Sequence, residues 1–189
     1  VEAVLTTANE KLCEGNEAGM FVTAWMGLLN VKTGLVTFAN AGHNPPLIRQ
    51  ADGSYAYHKT RAGLVLAGME GIRYRKQELQ LNSGDQIYLY TDGVTEATDA
   101  DEKLYGEARL LNLLNQHHGA AAQAICDVVK ADVDAFAGEA EQFDDITMLC
   151  VKINHIEDEN SITTYPEMAS VSTVAEFVEK RLQAWDVGM

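Results

Sequence analysis

Apolar residues recur along the chain with two spacings, one typical of helices and one typical of strands. Near the start, Val1–Leu12 carries apolar residues three to four positions apart, which predicts a helix. The segments 107–118 and 120–136 repeat this spacing and predict two more helices. Gly15 and Gly119 follow the first and second of these helical segments, where glycine commonly ends a helix.

Short apolar runs between turn-forming residues predict strands. The predicted strands are Met20–Asn30, Leu35–Ala41, Leu47–Gln50, Tyr55–Lys59, Arg73–Leu81, Gln86–Tyr90 and a last one within Phe143–Val151. The run Leu28–Val31 has too little polarity for a solvent-facing strand. We therefore expect the first hairpin to lie in the interior of a sandwich.

Two acidic stretches border predicted strands in opposite order. Asp92-Gly93 follows the buried strand that ends at Tyr90, and this pair is typical of a turn that re-aims the backbone. Asp144-Asp145 precedes the last strand. If the two strands are antiparallel neighbours, their acidic ends share one edge, and Asp92 and Asp144 converge in a way that suits a hard divalent cation. Taken alone, Asp-Gly after a strand is most often only a turn, and Asp-Asp before a strand is often a solvated loop.

Composition narrows the classes of function. The chain has 189 residues and a net charge of −14, which disfavours binding to nucleic acid and to anionic membranes. No run approaches the roughly 20 apolar residues of a membrane span, and no signal peptide is visible. Cys13, Cys126 and Cys150 form no CxxC motif, which argues against a zinc or redox site and favours a reducing cytoplasm.

Three blocks of sequence resemble one bacterial enzyme family. The blocks are Phe21–Ala24 with Phe38–Pro46, then Tyr90–Ala97, then Asp144–Thr147, and they occur in the family's order. They resemble the SpoIIE-type, RsbU-like branch of the PPM family, the protein phosphatase 2C-like, metal-dependent serine/threonine phosphatases. The resemblance covers about residues 1–153. It implies an α+β fold, an αββα sandwich of two antiparallel β-sheets flanked by helices.

The resemblance also assigns candidate site residues. Asp92 and Asp144 would be metal ligands for Mn²⁺ or Mg²⁺, with two ions in a full-length domain. Asp145 is a further candidate ligand, although orienting the loop is the role we favour for it. Glu96 stands where some relatives carry an acid for a third metal. His43 stands where relatives outside the branch carry an acidic residue, and we favour a loop-ordering role for it, together with Gly93.

The implied reaction is hydrolysis of phosphoserine or phosphothreonine by metal-activated water. The chain offers no Cys-x5-Arg loop and no activated serine motif, so a covalent nucleophile is not indicated. By resemblance, the substrate would be a phosphorylated anti-sigma-factor antagonist of the STAS fold, in cytoplasmic stress or sporulation signalling. A regulator domain in the same chain is a further expected partner.

The chain departs from the family pattern at its start. Family members begin with strands carrying an Asp and an Asp-x-x-Gly turn, whereas Val1 already begins the helix that follows them. We therefore expect an N-terminally truncated domain that alone binds metal weakly and is inactive, with an exposed sheet edge that pairs two copies into a homodimer. The alternative is a catalytically incomplete module that binds a phosphorylated or regulatory protein.

The end of the chain has a different character. Residues 154–160 are polar and acidic and predict a linker, and 161–189 predict a short strand and an amphipathic helix. This strand–helix pair resembles the opening of the ATPase domain of anti-sigma kinases. A helix that docks on the phosphatase domain explains the pattern equally well.

Overall fold

The computed structural model describes residues 1–142 and 144–154. The elements are α1 Glu2–Cys13, β1 Ala24–Leu29, β2 Leu35–Ala41, β3 Leu47–Arg49, β4 Tyr55–Tyr57, β5 Gln77–Gln80, β6 Gln86–Tyr90, a 3₁₀ turn Asp92–Val94, α2 Glu107–Gln116, α3 Ala122–Ala137 and β7 Met148–Lys152. Phe143, nearly all of the predicted linker and the whole predicted strand–helix segment lie outside the described residues.

The strands form two antiparallel sheets. One has three strands in the order β1-β2-β5, and the other has four in the order β4-β3-β6-β7. Val36 and Phe38 of β2 pack with Ile48 of β3 and Ile87 of β6, so the two sheets face each other across a shared core. The sandwich implied by the family resemblance is confirmed.

Helices cover the outer faces. On the three-stranded sheet, Leu5 of α1 packs on Ala39 and Ala41 of β2. On the four-stranded sheet, a larger cluster joins β3, β4 and β6 to α2 and α3. Its buried members are Leu47, Tyr55, Tyr88, Tyr90, Val94, Tyr105, Leu110, Leu114, Ile125, Val129 and Val133. The four layers follow the order α1, three-stranded sheet, four-stranded sheet, α2 with α3.

The expectation that the whole first hairpin lies in the interior is wrong for β1. Among the described strands, β1 pairs only with β2 and forms an edge, and Leu28 is 68% exposed. The indole of Trp25 lies over Gly27 and stacks on Phe38, with ring centroids 5.2 Å apart. Trp25 thereby covers the inner face of the edge strand, whereas Leu28 lies on the opposite, outer face and is left exposed there.

Candidate metal-binding rim

Three loops meet at one end of the sandwich. β6 and β7 are antiparallel neighbours, as expected, with Tyr90 opposite Met148 at the last position of the ladder. Next to them, Leu47 at the start of β3 pairs with Tyr88. The loop before β3 (42–46), the turn after β6 (91–96) and the segment before β7 (144–147) therefore lie along the same end of the four-stranded sheet. We call these three segments the rim.

Asp92 begins the tight turn after β6 and is half-buried. Its Oδ1 accepts a hydrogen bond from the Gly93 backbone N–H at 3.1 Å. Its carbonyl accepts from the Glu96 N–H at 2.7 Å and from the Thr95 hydroxyl at 3.3 Å. The turn therefore fixes the Asp92 backbone while the carboxylate stays partly accessible at the mouth of a rigid sheet.

Asp144 and Asp145 are exposed on the facing segment. Oδ1 of Asp144 accepts from the Asp145 N–H at 2.7 Å, and its carbonyl accepts from the Gln142 side-chain amide at 2.9 Å. A Cβ placed on Gly93 would lie 3.3 Å from the Asp144 carbonyl oxygen. The backbone beside Asp92 is thus in contact with the backbone of Asp144.

Glu96 lies on the outer side of the rim. It is exposed and lines a cleft with Gly93 and Asp144, and the C-terminal end of α3 forms the opposite wall. Asp134 and Glu141 line the same cleft, which makes it strongly acidic. Glu96 is therefore near Asp144, as a residue with an accessory metal role would be.

His43 is held by three hydrogen bonds in the loop before β3. Its Nδ1 lies 3.0 Å from the Thr23 hydroxyl, its N–H donates to Asn40 Oδ1 at 2.7 Å, and its carbonyl accepts from Asn40 Nδ2 at 2.9 Å. Burial lowers the pKa of His43, and the negative charge of Asp92 acts in the opposite direction. His43 is thus within electrostatic reach of Asp92, and its contacts are those of a residue that orders a loop.

The rim acids are not neutralised by basic groups. None of the ion pairs formed by residues 1–142 and 144–154 involves Asp92, Glu96, Asp144 or Asp145. Carboxylate oxygens are the ligands that hard divalent cations prefer, so the donors fit Mn²⁺ or Mg²⁺ in kind. The donors are too few for a complete site, because no group of three aspartate, glutamate, histidine or cysteine side chains among the described residues could hold an ion.

Sequence reasoning missed two features of the rim. It gave Thr91 no role, although the Thr91 hydroxyl bonds to the segment before β7. It also explained Gly93 by turn conformation, yet Gly93 is not among the residues with positive φ. The backbone of Asp145 lies so close that a Cβ on Gly93 would sit 2.6 Å from its carbonyl oxygen. The sequence feature that could have indicated a role for Thr91 is its position between a buried strand and an acidic turn.

Comparison with known proteins identifies the family. The family model described as Stage II sporulation protein E (SpoIIE) matches residues 1–154. The chain therefore belongs to the SpoIIE family.

Two curated relatives align over most of the chain. It is 29% identical over 155 residues to Protein IcfG of Synechocystis and 27% identical over 151 residues to Phosphoserine phosphatase RsbU of Bacillus subtilis. These alignments cover 82% and 79% of this chain. The chain spans 24% of the length of IcfG and 44% of RsbU.

Solved structures share the fold. The SiaA-PP2C domain of Pseudomonas aeruginosa matches with a TM-score of 0.66 at 22% identity, over 80% of this chain and 59% of that one. The RsbU and RsbW domains of Rv1364c from Mycobacterium tuberculosis match with a TM-score of 0.66 at 23% identity, over 97% and 50%. The catalytic domain of the phosphatase PstP, in complex with two manganese ions, matches with a TM-score of 0.55 at 12% identity, over 79% and 67%.

No helix among the described residues combines the length and the apolar character that a membrane crossing requires.

Proposed function

We propose that the chain forms the Asp92–Asp144 side of the active site of a metal-dependent phosphoserine/phosphothreonine protein phosphatase. The observation that carries this proposal is the pairing of β6 with β7, which brings two acidic segments far apart in sequence to one rim. Membership of the SpoIIE family supports it, as does the name of the relative Phosphoserine phosphatase RsbU.

The metal ligands in this proposal are Asp92 and Asp144. A bound Mn²⁺ or Mg²⁺ would lower the pKa of a coordinated water and neutralise phosphoryl oxygens during attack. Asp92 offers a carboxylate from a turn braced by its own backbone, and Asp144 offers one from a segment braced by Gln142. The complex of PstP with two manganese ions supports the choice of cation.

The other rim residues take supporting roles. Asp145 orients its segment, because its carbonyl oxygen contacts Thr91. Glu96, at the edge of the acidic cleft, is placed for an accessory cation. His43 holds the loop before β3 through Thr23 and Asn40, and burial lowers its pKa.

The substrate proposed is a phosphorylated anti-sigma-factor antagonist in bacterial stress or sporulation signalling. The similarity to RsbU and to the paired RsbU and RsbW domains of Rv1364c supports this choice. The same similarity supports a regulatory domain in the same chain and a cytoplasmic location. The segment 161–189, for which the sequence predicts a strand and a helix, remains a proposed start of an RsbW-like domain or a helix that docks on the phosphatase domain.

Phosphate release with Mn²⁺ tests the proposal. The chain is incubated with a phosphoserine-containing STAS protein and with a phosphotyrosine peptide, while Mn²⁺ is raised from micromolar to millimolar. At micromolar Mn²⁺ we expect the chain to be inactive, in line with the sequence-based expectation. Only at millimolar Mn²⁺ do we expect slow release, and from phosphoserine alone, because the described residues supply two carboxylates rather than a complete ligand set.

Matched variants show whether phosphate release depends on the two proposed metal ligands. Asp92→Asn and Asp144→Asn should abolish it. Asp127→Asn on the exposed face of α3 should not, because among the described residues that side chain accepts a single hydrogen bond, from Gln123. Release that persists in Asp92→Asn and Asp144→Asn would contradict the proposal.

A second candidate function is a binding module without catalysis, and the small number of grouped ligands among the described residues favours it. In that case the chain would bind the phosphorylated STAS protein more tightly than the unphosphorylated form without releasing phosphate at any Mn²⁺ concentration. Calorimetric titration with both forms, run beside the release assay, separates the two functions.

A further inference from the structure

One hydroxyl group connects the two acidic segments of the rim. The Thr91 Oγ1 donates a hydrogen bond to the Asp145 carbonyl at 2.9 Å and accepts one from the Thr147 N–H at 2.9 Å. The Thr91 N–H also donates to the Thr147 carbonyl at 3.0 Å. The regular β6–β7 ladder stops at Tyr90 and Met148, and the backbone N–H and side chain of Thr91 together continue the pairing by one residue.

Gly93 contacts the same carbonyl from the other side of Asp92. A Cβ on Gly93 would lie 2.6 Å from the Asp145 oxygen and 3.0 Å from its carbonyl carbon. Backbone atoms at such a distance cannot yield as a flexible side chain can, so any larger residue would push the two segments apart. The residues on both sides of Asp92 therefore hold the residue that follows Asp144.

We propose that Thr91 and Gly93 are positioning residues that fix the separation of Asp92 and Asp144. We call the two residues and the Asp145 carbonyl the clamp. Carboxylates bind a shared cation well only when their spacing is preset, because each ion tolerates a narrow range of oxygen distances. The clamp sets this spacing without touching the ion. This inference rests on the proposed function, since it assigns the clamp to the same metal site.

The side chain at residue 91 must have a hydroxyl. Valine has the shape of threonine but can neither donate to the Asp145 carbonyl nor accept from the Thr147 N–H. Serine retains both capacities. Thr91→Val should therefore loosen the clamp, and Thr91→Ser should preserve it.

The first measurement is Mn²⁺ binding by water-proton relaxation or calorimetry on the whole chain. We expect Thr91→Val to weaken binding by about tenfold or more, the range found for residues that support metal ligands, and Thr91→Ser to restore it. Thr37→Val, which removes a hydroxyl from the middle of β2, should bind as the wild type does. Gly93→Ala should weaken binding, whereas Gly119→Ala should not, because a Cβ there meets nothing within 4 Å.

The second measurement needs no metal. Amide exchange followed by NMR should show faster exchange of the Thr147 N–H in Thr91→Val and wild-type exchange in Thr91→Ser. If Thr91→Val keeps both wild-type exchange and wild-type Mn²⁺ affinity, the clamp is overturned.

The two measurements separate the two proposals. A wild-type chain that shows no Mn²⁺ response contradicts the proposed function, while the exchange of Thr147 still decides whether the clamp exists. A loss of protection in Thr91→Val without any loss of Mn²⁺ affinity shows that the hydroxyl joins the segments but does not set the metal site, which refutes the positioning role.

Discussion

The two sheets of the sandwich are covered to different extents. The four-stranded sheet packs on α2 and α3 through eleven buried residues, five of which are tyrosine or isoleucine side chains. The three-stranded sheet packs on α1 through only five, and apolar residues at its edge, such as Leu28 at 68%, remain exposed. The acidic rim is built on the better-covered sheet. Because close packing limits strand movement, this sheet can hold two carboxylates at a fixed spacing.

The largest expected difference in the free energy of unfolding is between two leucine-to-alanine substitutions, one in the cluster on the four-stranded sheet and one on the edge of the three-stranded sheet. Leu110→Ala removes a fully buried side chain from the cluster on the four-stranded sheet, and we expect it to lower the free energy of unfolding by about 2–5 kcal/mol. Leu28→Ala on β1 should cost about 0.5 kcal/mol or less, because that side chain is already in water. Urea unfolding measures both, and similar losses would contradict the comparison.

A polar contact joins the two helices on the well-covered side. Arg109 of α2 makes two hydrogen bonds to Asp132 of α3, at 2.9 and 3.0 Å, and the Tyr105 hydroxyl adds a third at 2.6 Å. We expect Asp132→Asn to cost about 1 kcal/mol at pH 7, since the pair is partly exposed to solvent. Asp134→Asn, which breaks the exposed pair with Lys130, should cost about 0.3–0.5 kcal/mol.

The pH dependence of the Asp132 contact has a defined sign. Hydrogen bonds from Arg109 lower the pKa of Asp132 in the folded protein. Its contribution is therefore fully present above the unfolded-state pKa of about 3.9 and is lost as the pH falls through the lower folded value. The difference between wild type and Asp132→Asn should shrink when urea unfolding is repeated near pH 3. A difference that grows there would refute this assignment.

His58, a half-buried histidine beside the inter-sheet core, should also make the protein less stable as the pH falls, by a smaller amount. Burial lowers the pKa of His58, whose ring packs edge-on against Phe38. The unfolded chain therefore takes up the proton first as the pH falls, and stability declines from about pH 6.5 down to the folded pKa. His58→Leu should reduce this decline in urea unfolding between pH 7 and pH 5. An unchanged decline would show that His58 is not its source.

The exposed edge of the three-stranded sheet should allow two copies of the chain to associate weakly. β1 has one unpaired side among the described strands and carries exposed Leu28. We expect concentration-dependent dimers in sedimentation experiments, and Leu28→Lys should reduce them because a charge disfavours edge pairing. A strictly monomeric wild type at high concentration would contradict the expected homodimer.

Sequence alone predicts the parts of this fold in which local pattern and tertiary environment agree. The bounds of β2 and β6 match the prediction because each strand is flanked by turn residues and is buried between neighbours. Arg73–Leu81 alternates like a strand along its whole length, yet only Gln77–Gln80 finds a partner, in the first half of β2. Partner availability is a tertiary property that the alternation of side chains does not encode.

The rim shows the same division between local and tertiary information. The order of acids and strands predicted that Asp92 and Asp144 border one edge, because antiparallel pairing follows from chain direction. The contacts of Thr91 and Gly93 with Asp145 depend on how closely two segments approach, and one sequence does not give that distance. How many further side chains could bind the same ion also depends on which residues the fold brings together, and the order of residues in the sequence does not give this.

A double-substitution cycle of Mn²⁺ binding tests the central claim that Asp92 and Asp144 hold one cation site. Wild type, Asp92→Asn, Asp144→Asn and the double variant are titrated under the same conditions. If the two carboxylates share a site, either single substitution should lose nearly as much affinity as both together, so the two effects will not add. Independent, additive losses, or single variants that bind Mn²⁺ as the wild type does, would contradict the account.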